Sequence, residues 1–418
     1  MQADLDRIAA QAGRIAILLP SLEGGGAERS MLNLAAGFVA RGRQVDLVLC
    51  KRKGAYMNEV PQGVRVVELQ GSGTFGARLF PALAQPGLSV AMLRPVILAK
   101  KSPSEISRFK ALRDYLLSGQ IDVLVSALPY ANLLALWARE AAGVNLPVIV
   151  TERIALLTYC RSPDNFRKWR WRYLPELVRR SYPAADRVVT VSDAVARELL
   201  DELALTPGSV ETIYNPVVNQ GLLDKSREPL DHPWFTAGAP PVILGVGRLT
   251  EQKDFATLIR AFARVREKRE ARLVLLGEGR LREELEELAR HLGIHEDVGM
   301  PGFVDNPFRY MARSAALALS SEYEGLPGVL IQAMACGCPV VSTNCPGGSE
   351  EVLDSGRFGQ LVNVGDADAL ASALASTLST PLDRDVLIRR AEEFSVEQAV
   401  DNYLALIDSL YEQSAGPA

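Results

Sequence analysis

The chain has 418 residues, of which 48% are hydrophobic and 23% are charged, and its formal net charge is −4. This length allows two domains of ordinary size, the composition is that of a soluble globular protein, and the charge gives no overall attraction to nucleic acid. No stretch reaches the ~20 uninterrupted apolar residues of a membrane span, and the first apolar run, 15–20, is too short for a signal peptide. Five cysteines without a C-x-x-C pair and three histidines make no plausible metal set, so we expect a reducing cytoplasm.

The first half of the chain predicts a doubly wound α/β domain. Residues 14–20 are a continuous apolar run, as in a central parallel strand. A glycine loop follows, then a helix from about 27 to 41, and then a second strand at 44–50. This strand–loop–helix–strand unit is how such domains begin.

The glycine loop contains Gly24, Gly25 and Gly26, but it does not have the dinucleotide-binding spacing G-x-G-x-x-G, because position 29 is Arg. The acidic residue expected at the end of the second strand is also missing. The loop therefore fits close approach to some other ligand, or a plain tight turn, better than it fits NAD.

Three further strands are predicted at 121–127, 147–151 and 186–192. Residues at the carboxyl ends of parallel strands line the edge where ligands bind in such folds. Asn132, Glu152, Arg153 and Ser192 are therefore site candidates. Ser192, or its neighbour Asp193, equally suits a helix N-cap, which is the role we favour.

The segment from Arg161 to Arg180 carries seven basic and two acidic residues, with aromatic residues interleaved. Basic charge with interfacial aromatics suits an anionic membrane surface, or an anionic acceptor such as a lipid diphosphate. The apolar stretch 79–99 is a candidate for the same face. Two alternatives stay open: stacking on single-stranded nucleic acid, although no nucleic-acid module surrounds the segment, and a solvated helix whose aromatics pack inward.

After Pro216 the chain becomes loop-like, and the strand–helix pattern then restarts with strands at 241–247, 272–277, 298–303, 315–320 and 339–342. Two similar halves predict a cleft between two Rossmann-like domains, where ligands collect.

The stretch 320–337 reads as a strand end, a glycine-rich turn and a helix over 328–335. Its helix-start amides attract anions, and Glu324 in the turn can accept hydrogen bonds from sugar hydroxyls. Arg248 and Lys253, on one predicted loop, can neutralise a diphosphate. The alternative is that the glycines only make a tight connection and that the two cations are solvated.

Taken in order and spacing, these motifs resemble the family-4 glycosyltransferases of GT-B fold. The resemblance is carried by GGGAE at 24–28, GRL at 247–249 with Lys253, GEG at 277–279, GFV at 302–304, SEYEGLP at 321–327, AMACGCPVV at 333–341, and GG at 347–348. The second half is most similar to bacterial enzymes that add hexoses or N-acetylhexosamines to lipid-linked or cell-surface glycans.

The resemblance implies a retaining transfer from a nucleotide-diphosphate sugar, commonly UDP, to a glycan or polyprenyl-diphosphate-linked acceptor, with no metal ion, cofactor or nucleic acid. It implies an acceptor domain at 1–220, a nucleotide-sugar domain at 221–393, and a last helix, 394–414, that packs back on the first domain. Such a protein is expected in the cytoplasm, at the inner face of the plasma membrane.

By the same resemblance, Glu324, Arg248 and Lys253 are the catalytic residues. The donor-binding residues are Gly25, Gly26, Phe303, Val304, Gly325, Leu326, Pro327, Gly328, Val329 and Gln332. The acceptor-side candidates are Glu28, Asn132, Glu152 and Arg153.

The sequence departs from the family pattern at two points. Gln332 stands where the pattern E-x7-E has its second Glu, and Gln cannot bind a ribose diol as a carboxylate does. Residues 126–130, where many members have a His, contain none. A front-face mechanism, in which the leaving phosphate takes the acceptor's proton, needs no such base. The alternatives are a UDP-sugar 2-epimerase of the same fold and a non-catalytic sugar-nucleotide-binding subunit.

Overall fold

Two parallel β-sheets organise the protein, for which a computed structural model describes residues 13–73, 81–82, 84–99 and 103–415. The chain divides into two compact units. The first is Met1–Pro216 together with Val396–Ala418, and the second is Val217–Ser395. Residues 79, 80 and 83 of the apolar stretch 79–99 lie outside the described residues, as does the beginning of the predicted first domain.

The sheet of the first unit has the order β3-β2-β1-β4-β5-β6-β7, and every neighbouring pair is parallel. Its strands are β1 Arg14–Leu19, β2 Gln44–Leu49, β3 Val64–Glu68, β4 Val123–Ala127, β5 Val148–Glu152, β6 Arg187–Thr190 and β7 Val210–Thr212. The helices of this unit are Gly26–Ala40, Ser89–Met92, Phe109–Leu117, Pro129–Ala142, Leu156–Arg161, Pro163–Phe166, Trp169–Arg172, Leu174–Ser181, Asp193–Leu203 and Val396–Ala415. Shorter helical turns lie at Ala55–Glu59, Pro86–Leu88, Leu93–Ile97, Ile106–Arg108 and Tyr182–Ala184.

Both faces of the first sheet are covered. Alternate residues of β1 belong to different cores: Ala16 and Leu18 to one, and Ile15 and Ile17 to the other. A strand buried on both faces needs apolar residues at every position, which is why β1 appears in the sequence as a continuous apolar run. The predicted α/β class with doubly wound parallel sheets is therefore confirmed.

The last helix, Val396–Ala415, packs on the first unit through one apolar stripe. Val400, Tyr403 and Ile407 recur at helical spacing and are buried with the residues of Gly26–Ala40. The Tyr403 ring meets Phe38 edge to face at a centroid distance of 6.4 Å. Gly37 lies directly against the Val400 side chain, so the close approach of these two helices depends on a residue without a Cβ.

The sheet of the second unit has the order β10-β9-β8-β11-β12-β13, again parallel throughout. Its strands are β8 Val242–Val246, β9 Arg272–Leu276, β10 Val298–Gly302, β11 Ala316–Leu319, β12 Val340–Thr343 and β13 Gln360–Val362. The helices are Gln220–Arg227, Phe255–Arg266, Arg282–His291, Phe308–Met311, Gly328–Ala335, Ser349–Val352, Ala367–Ser379 and Arg384–Glu392, with turns at Pro233–Phe235, Glu251–Lys253 and His295–Asp297.

Each sheet has one point where the strand order reverses. In the first unit it lies between β1 and β4, and in the second between β8 and β11. Connections leave in opposite directions there and open a crevice outside the carboxyl ends of the two strands, which is where ligands bind in open α/β sheets. The second crevice is bounded by the loops that follow β8 and β11.

Candidate active site

The turn after β11 holds a carboxylate in a defined position. Glu324 is 9% exposed, and its Oε1 accepts hydrogen bonds from Ser321 Oγ at 2.7 Å and Lys253 Nζ at 2.5 Å. Its second oxygen, Oε2, accepts no hydrogen bond within the described part of the chain, and it is not a fully buried atom. Glu324 thus keeps one oxygen for another donor while the other is fixed.

The backbone of this turn is attached to both neighbouring loops. Glu324 N–H donates to Pro346 O at 2.9 Å, and Thr343 Oγ1 donates to Ser321 O at 2.7 Å. On the other side, Ser320 Oγ donates to Lys253 O at 2.7 Å. These bonds explain why the polar turn is buried yet satisfied.

The loop after β8 supplies two cations with different surroundings. Lys253, whose side chain is 16% exposed, ends a helical turn and pairs with Glu324, and its methylene chain lies over Gly247. Arg248 is exposed, and its side chain forms no ion pair or hydrogen bond with any residue that the structure describes, although its carbonyl accepts from Thr250 N–H at 2.8 Å. One cation is therefore held beside the carboxylate, and the other is available to an anion.

Glycines allow the loop after β9 to pack directly against the loop after β8, which carries Arg248 and Lys253. Gly277, at the end of β9, has φ +137° and contacts the backbone of Gly247, so a Cβ there would overlap the carbonyl of Gly247. Leu249 N–H then donates to Glu278 O at 3.0 Å. The GEG motif at 277–279 therefore acts as a support for the cationic loop.

The other donor-side candidates of the second unit follow β10 and β11 of the same sheet. Helix Gly328–Ala335 begins after Pro327, and no side chain caps its first turn. Gly325, Leu326 and Pro327 are buried, whereas Gly328, Val329 and Gln332 are half-buried. Phe303 follows β10 and is 70% exposed, and Val304 is half-buried.

In the first unit, the glycine loop follows β1 at the switch point. Gly24 has φ +109°, and Gly25 precedes helix Gly26–Ala40 in extended conformation. The Glu28 carboxylate lies against Gly25, where a Cβ would overlap it. Glu28 and the glycines therefore lie together at the carboxyl edge of the first sheet.

The other acceptor-side candidates have side chains buried in the first unit. Asn132 and Glu152 are fully buried: Asn132 Nδ2 donates to Tyr182 OH at 2.9 Å, and the Glu152 carboxylate accepts from Tyr182 OH. Burial raises the pKa of Glu152 to about 7, opposed by its hydrogen bonds to Tyr182 and Asn132. Arg153 is 6% exposed and donates to Asn215, and burial lowers its pKa.

Two features at strand ends were settled only by the structure. Ser192 Oγ accepts from Val195 N–H at 3.3 Å, which confirms the predicted N-cap. Leu128, directly after β4, has φ +79°, a backbone conformation that a branched residue rarely adopts. No role for Leu128 is predicted from the sequence, in which the following Pro129 is the local sign of a restricted backbone.

Family models match both halves of the chain. Residues 24–219 match the family described as Glycosyltransferase Family 4, and residues 227–394 match Glycosyl transferases group 1. A relative from Campylobacter jejuni, N-acetylgalactosamine-N,N'-diacetylbacillosaminyl-diphospho-undecaprenol 4-alpha-N-acetylgalactosaminyltransferase, is 30% identical over 365 residues, which is 87% of this chain and 90% of the relative. The chain therefore belongs to the glycosyltransferase family that includes this relative.

A second relative of this glycosyltransferase, also from Campylobacter jejuni, is named GalNAc-alpha-(1->4)-GalNAc-alpha-(1->3)-diNAcBac-PP-undecaprenol alpha-1,4-N-acetyl-D-galactosaminyltransferase. It is 26% identical over 405 residues, 94% of this chain and 98% of the relative. Among solved structures, Anabaena Alr3699/HepE in complex with UDP and glucose has a TM-score of 0.70 at 19% identity and covers 95% of this chain and 100% of its own. Together with the two parallel sheets, this likeness shows the GT-B fold.

The described residues of the glycosyltransferase contain no group of three His, Cys, Asp or Glu side chains that could hold a metal ion. None of the described helices is both long and apolar enough to cross a membrane. The five cysteines are free and buried.

Proposed function

We propose that this glycosyltransferase moves a hexose or N-acetylhexosamine from a UDP-sugar to a lipid-linked glycan, with retention of anomeric configuration. One observation carries the proposal: the carboxylate of Glu324 is paired with the ammonium of Lys253 at the switch point of the second sheet, and the exposed Arg248 lies on the same loop as Lys253. These are the groups that a sugar diphosphate requires, namely an acceptor for hydroxyls and two cations for phosphate.

In the proposed reaction, the diphosphate binds between Arg248 and the start of helix Gly328–Ala335. Arg248 offers a bidentate contact to the phosphate. Lys253 acts as a point charge, and because an ammonium has three N–H donors, Lys253 can retain its hydrogen bond to Glu324 while it donates another to a phosphate oxygen. The free Oε2 of Glu324 accepts from a sugar hydroxyl. These contacts stabilise the negative charge that develops on the departing UDP.

The proposed route breaks the bond between the anomeric carbon and the UDP oxygen and forms a bond from that carbon to the acceptor oxygen on the same face. The acceptor's proton passes to the departing phosphate. This route needs no protein base, which agrees with the absence of a His from residues 126–130 and with the burial of Glu152 in the first unit.

The nature of donor and acceptor is supported by the relatives. Both Campylobacter jejuni relatives are named as transferases that add N-acetylgalactosamine to undecaprenol-linked glycans. Anabaena Alr3699/HepE is described in complex with UDP-glucose. Glu28 is the acceptor-side candidate we retain, because Asn132, Glu152 and Arg153 are buried.

We propose that the reaction needs no metal ion, because Arg248 and Lys253 can supply the charge that a metal would otherwise supply. The test is direct: transfer should continue after treatment with EDTA. A loss of transfer that Mg²⁺ or Mn²⁺ restores would contradict this part of the proposal.

The main experiment is a screen of UDP-sugars with a short-chain polyprenyl-diphosphate glycan as acceptor, with product anomers assigned by NMR. We expect one donor to give product with the donor's configuration, and Glu324→Ala to reduce the rate at least a hundredfold. UDP binding without turnover would favour the non-catalytic subunit. Conversion of the free UDP-sugar to its 2-epimer would favour the epimerase.

A further inference from the structure

Two segments far apart in the sequence adjoin on the surface of the first unit. Helix Trp169–Arg172 contacts the helical turn Leu93–Ile97. Arg94 Nη1 donates to Tyr173 OH at 2.8 Å, and its guanidinium lies 5.0 Å from the centre of the Tyr173 ring. The apolar and basic residues of the two segments therefore form one surface.

Exposed apolar side chains are concentrated on this surface. Within the described residues, five of the ten large hydrophobic side chains that are exposed lie in these two segments or within three residues of them, and they are Val90, Leu93, Leu98, Phe166 and Trp169. Val90 is 84% exposed and Trp169 is 44% exposed. Single exposed apolar residues need no explanation, but a cluster of them marks an interaction site.

The same surface carries five cations that form hydrogen bonds or ring contacts at most, and no ion pair with a described carboxylate. No ion pair is formed with any described residue by Arg94, Arg167, Lys168, Arg170 or Arg172. By contrast, the other arginines of the basic segment have partners: Arg161 pairs with Glu202, and Arg179 and Arg180 pair with Glu176. We call the five cations and the five exposed apolar residues the apolar–basic patch.

The patch is anchored by aromatic residues that point the other way. Trp171 packs against Tyr130 and Tyr159 at centroid distances of 5.6 and 5.1 Å, and Tyr130 OH donates to Arg170 O. The inward-packing alternative is thus correct for Trp171, but it does not apply to Trp169 or Phe166. The packing of Trp171 therefore fixes the backbone of the helix Trp169–Arg172, which carries exposed side chains of the patch.

We propose that the apolar–basic patch docks the protein on an anionic lipid bilayer. Trp169, Phe166 and the aliphatic side chains would enter the interfacial region, and the cations would bind lipid phosphates. Nucleic acid fits less well, because Arg172 covers the Phe166 ring at 4.5 Å and bases cannot stack on Val90 or Leu93.

The test measures flotation of the full chain with two vesicle types, phosphatidylcholine alone and phosphatidylcholine with 30% phosphatidylglycerol. We expect binding to the anionic vesicles only, weakening as salt is raised. Because neither donor nor acceptor is added, the result is independent of the proposed sugar transfer. Equal binding to neutral vesicles, or no binding to either, would overturn the proposal, as would tighter binding to a single-stranded oligonucleotide.

Three double variants place the binding on the patch. Arg167→Gln/Lys168→Gln removes two cations that make no ion pair, and we expect roughly a tenfold to thirtyfold lower partition coefficient. Val90→Ser/Trp169→Ser should reduce binding on the same anionic vesicles. Lys268→Gln/Arg290→Gln removes the same charge from exposed positions of the second unit and should have no effect. If the control weakens binding as much as the first variant, binding reflects overall charge and the patch is not the site.

Discussion

The pair between Lys253 and Glu324 makes a quantitative prediction for the variant Lys253→Met. Both side chains are mostly buried, at 16% and 11% exposure, and their charged atoms are 2.5 Å apart. Without the ammonium, the Glu324 carboxylate keeps only the hydroxyl of Ser321 as a donor. Removing one partner of a largely buried charged hydrogen bond costs about 1–3 kcal/mol, and we place this case at about 2 kcal/mol because some water can reach the site.

The assay is thermal unfolding of the full protein, following the transition of the second unit. A loss of about 2 kcal/mol should lower its midpoint by roughly 4–8 °C. Lys268→Met is the matched control, because Lys268 is exposed in the same unit and should leave the midpoint unchanged. If Lys253→Met and the control behave alike, the pair is solvated and does not position Glu324.

Nucleotide binding then separates the roles of the two residues. Lys253→Met should weaken UDP binding at least tenfold by calorimetry, because one cation near the diphosphate is lost. Glu324→Gln should leave UDP affinity unchanged or severalfold tighter, since it frees Lys253, while transfer falls a hundredfold or more. If Glu324→Gln weakens UDP binding as strongly as Lys253→Met, Glu324 supports the diphosphate loop and the proposed contact with the sugar is wrong.

Three further predictions concern single positions. Gln332→Glu should increase the preference for UDP over 2'-deoxy-UDP severalfold in competition binding, because a carboxylate can accept from both ribose hydroxyls. The pKa of Glu152 is about 7 in the fold and about 4.3 in an unfolded chain, so the fold binds a proton that the unfolded chain has lost. The free energy of unfolding should therefore fall by about 3 kcal/mol as pH rises from about 4.5 to 7, and Glu152→Gln should remove this change. Gly37→Ala should lower the free energy of unfolding by about 1–3 kcal/mol through overlap with Val400, whereas Gly26→Ala, where no atom lies near the added Cβ, should not.

The interior strands could be predicted from the sequence because they are buried on both faces. β1 and β8 appear as continuous apolar runs, and the structure has strands at both places. Three strands were not predicted from the sequence, β3, β7 and β13, and all three lie at sheet edges and have half-exposed, mixed patterns. An edge strand is partly exposed to solvent and therefore needs apolar residues at only a few positions. Its sequence then differs little from that of a loop.

Contacts between residues far apart in the sequence decide which polar residues at strand ends are buried, and these contacts cannot be predicted from the sequence. Glu324, Lys253 and Arg248 could be chosen because motifs and strand ends place them on neighbouring loops. The position of Glu152 at the end of a strand could be predicted equally well, but its partners Asn132 and Tyr182 come from other elements and enclose it. Whether a polar residue at a strand end faces a ligand or the core depends on such partners, which a local pattern does not contain.

Charge balance at the switch point connects these features. A buried carboxylate would repel a diphosphate bound nearby, and Lys253 at 2.5 Å compensates the charge of Glu324 before any donor arrives. Arg248 then remains as uncompensated positive charge. A second Glu at position 332, in the helix that follows the Glu324 turn, would add negative charge to this part of the second unit, whereas the neutral Gln332 adds none. We therefore expect Gln332→Glu to strengthen ribose recognition while making UDP binding less sensitive to salt, because salt screens net attraction more than hydrogen bonds to neutral hydroxyls. If UDP binding by the Gln332→Glu variant depends on salt as steeply as binding by the wild type, position 332 lies too far from the diphosphate for its charge to affect UDP binding.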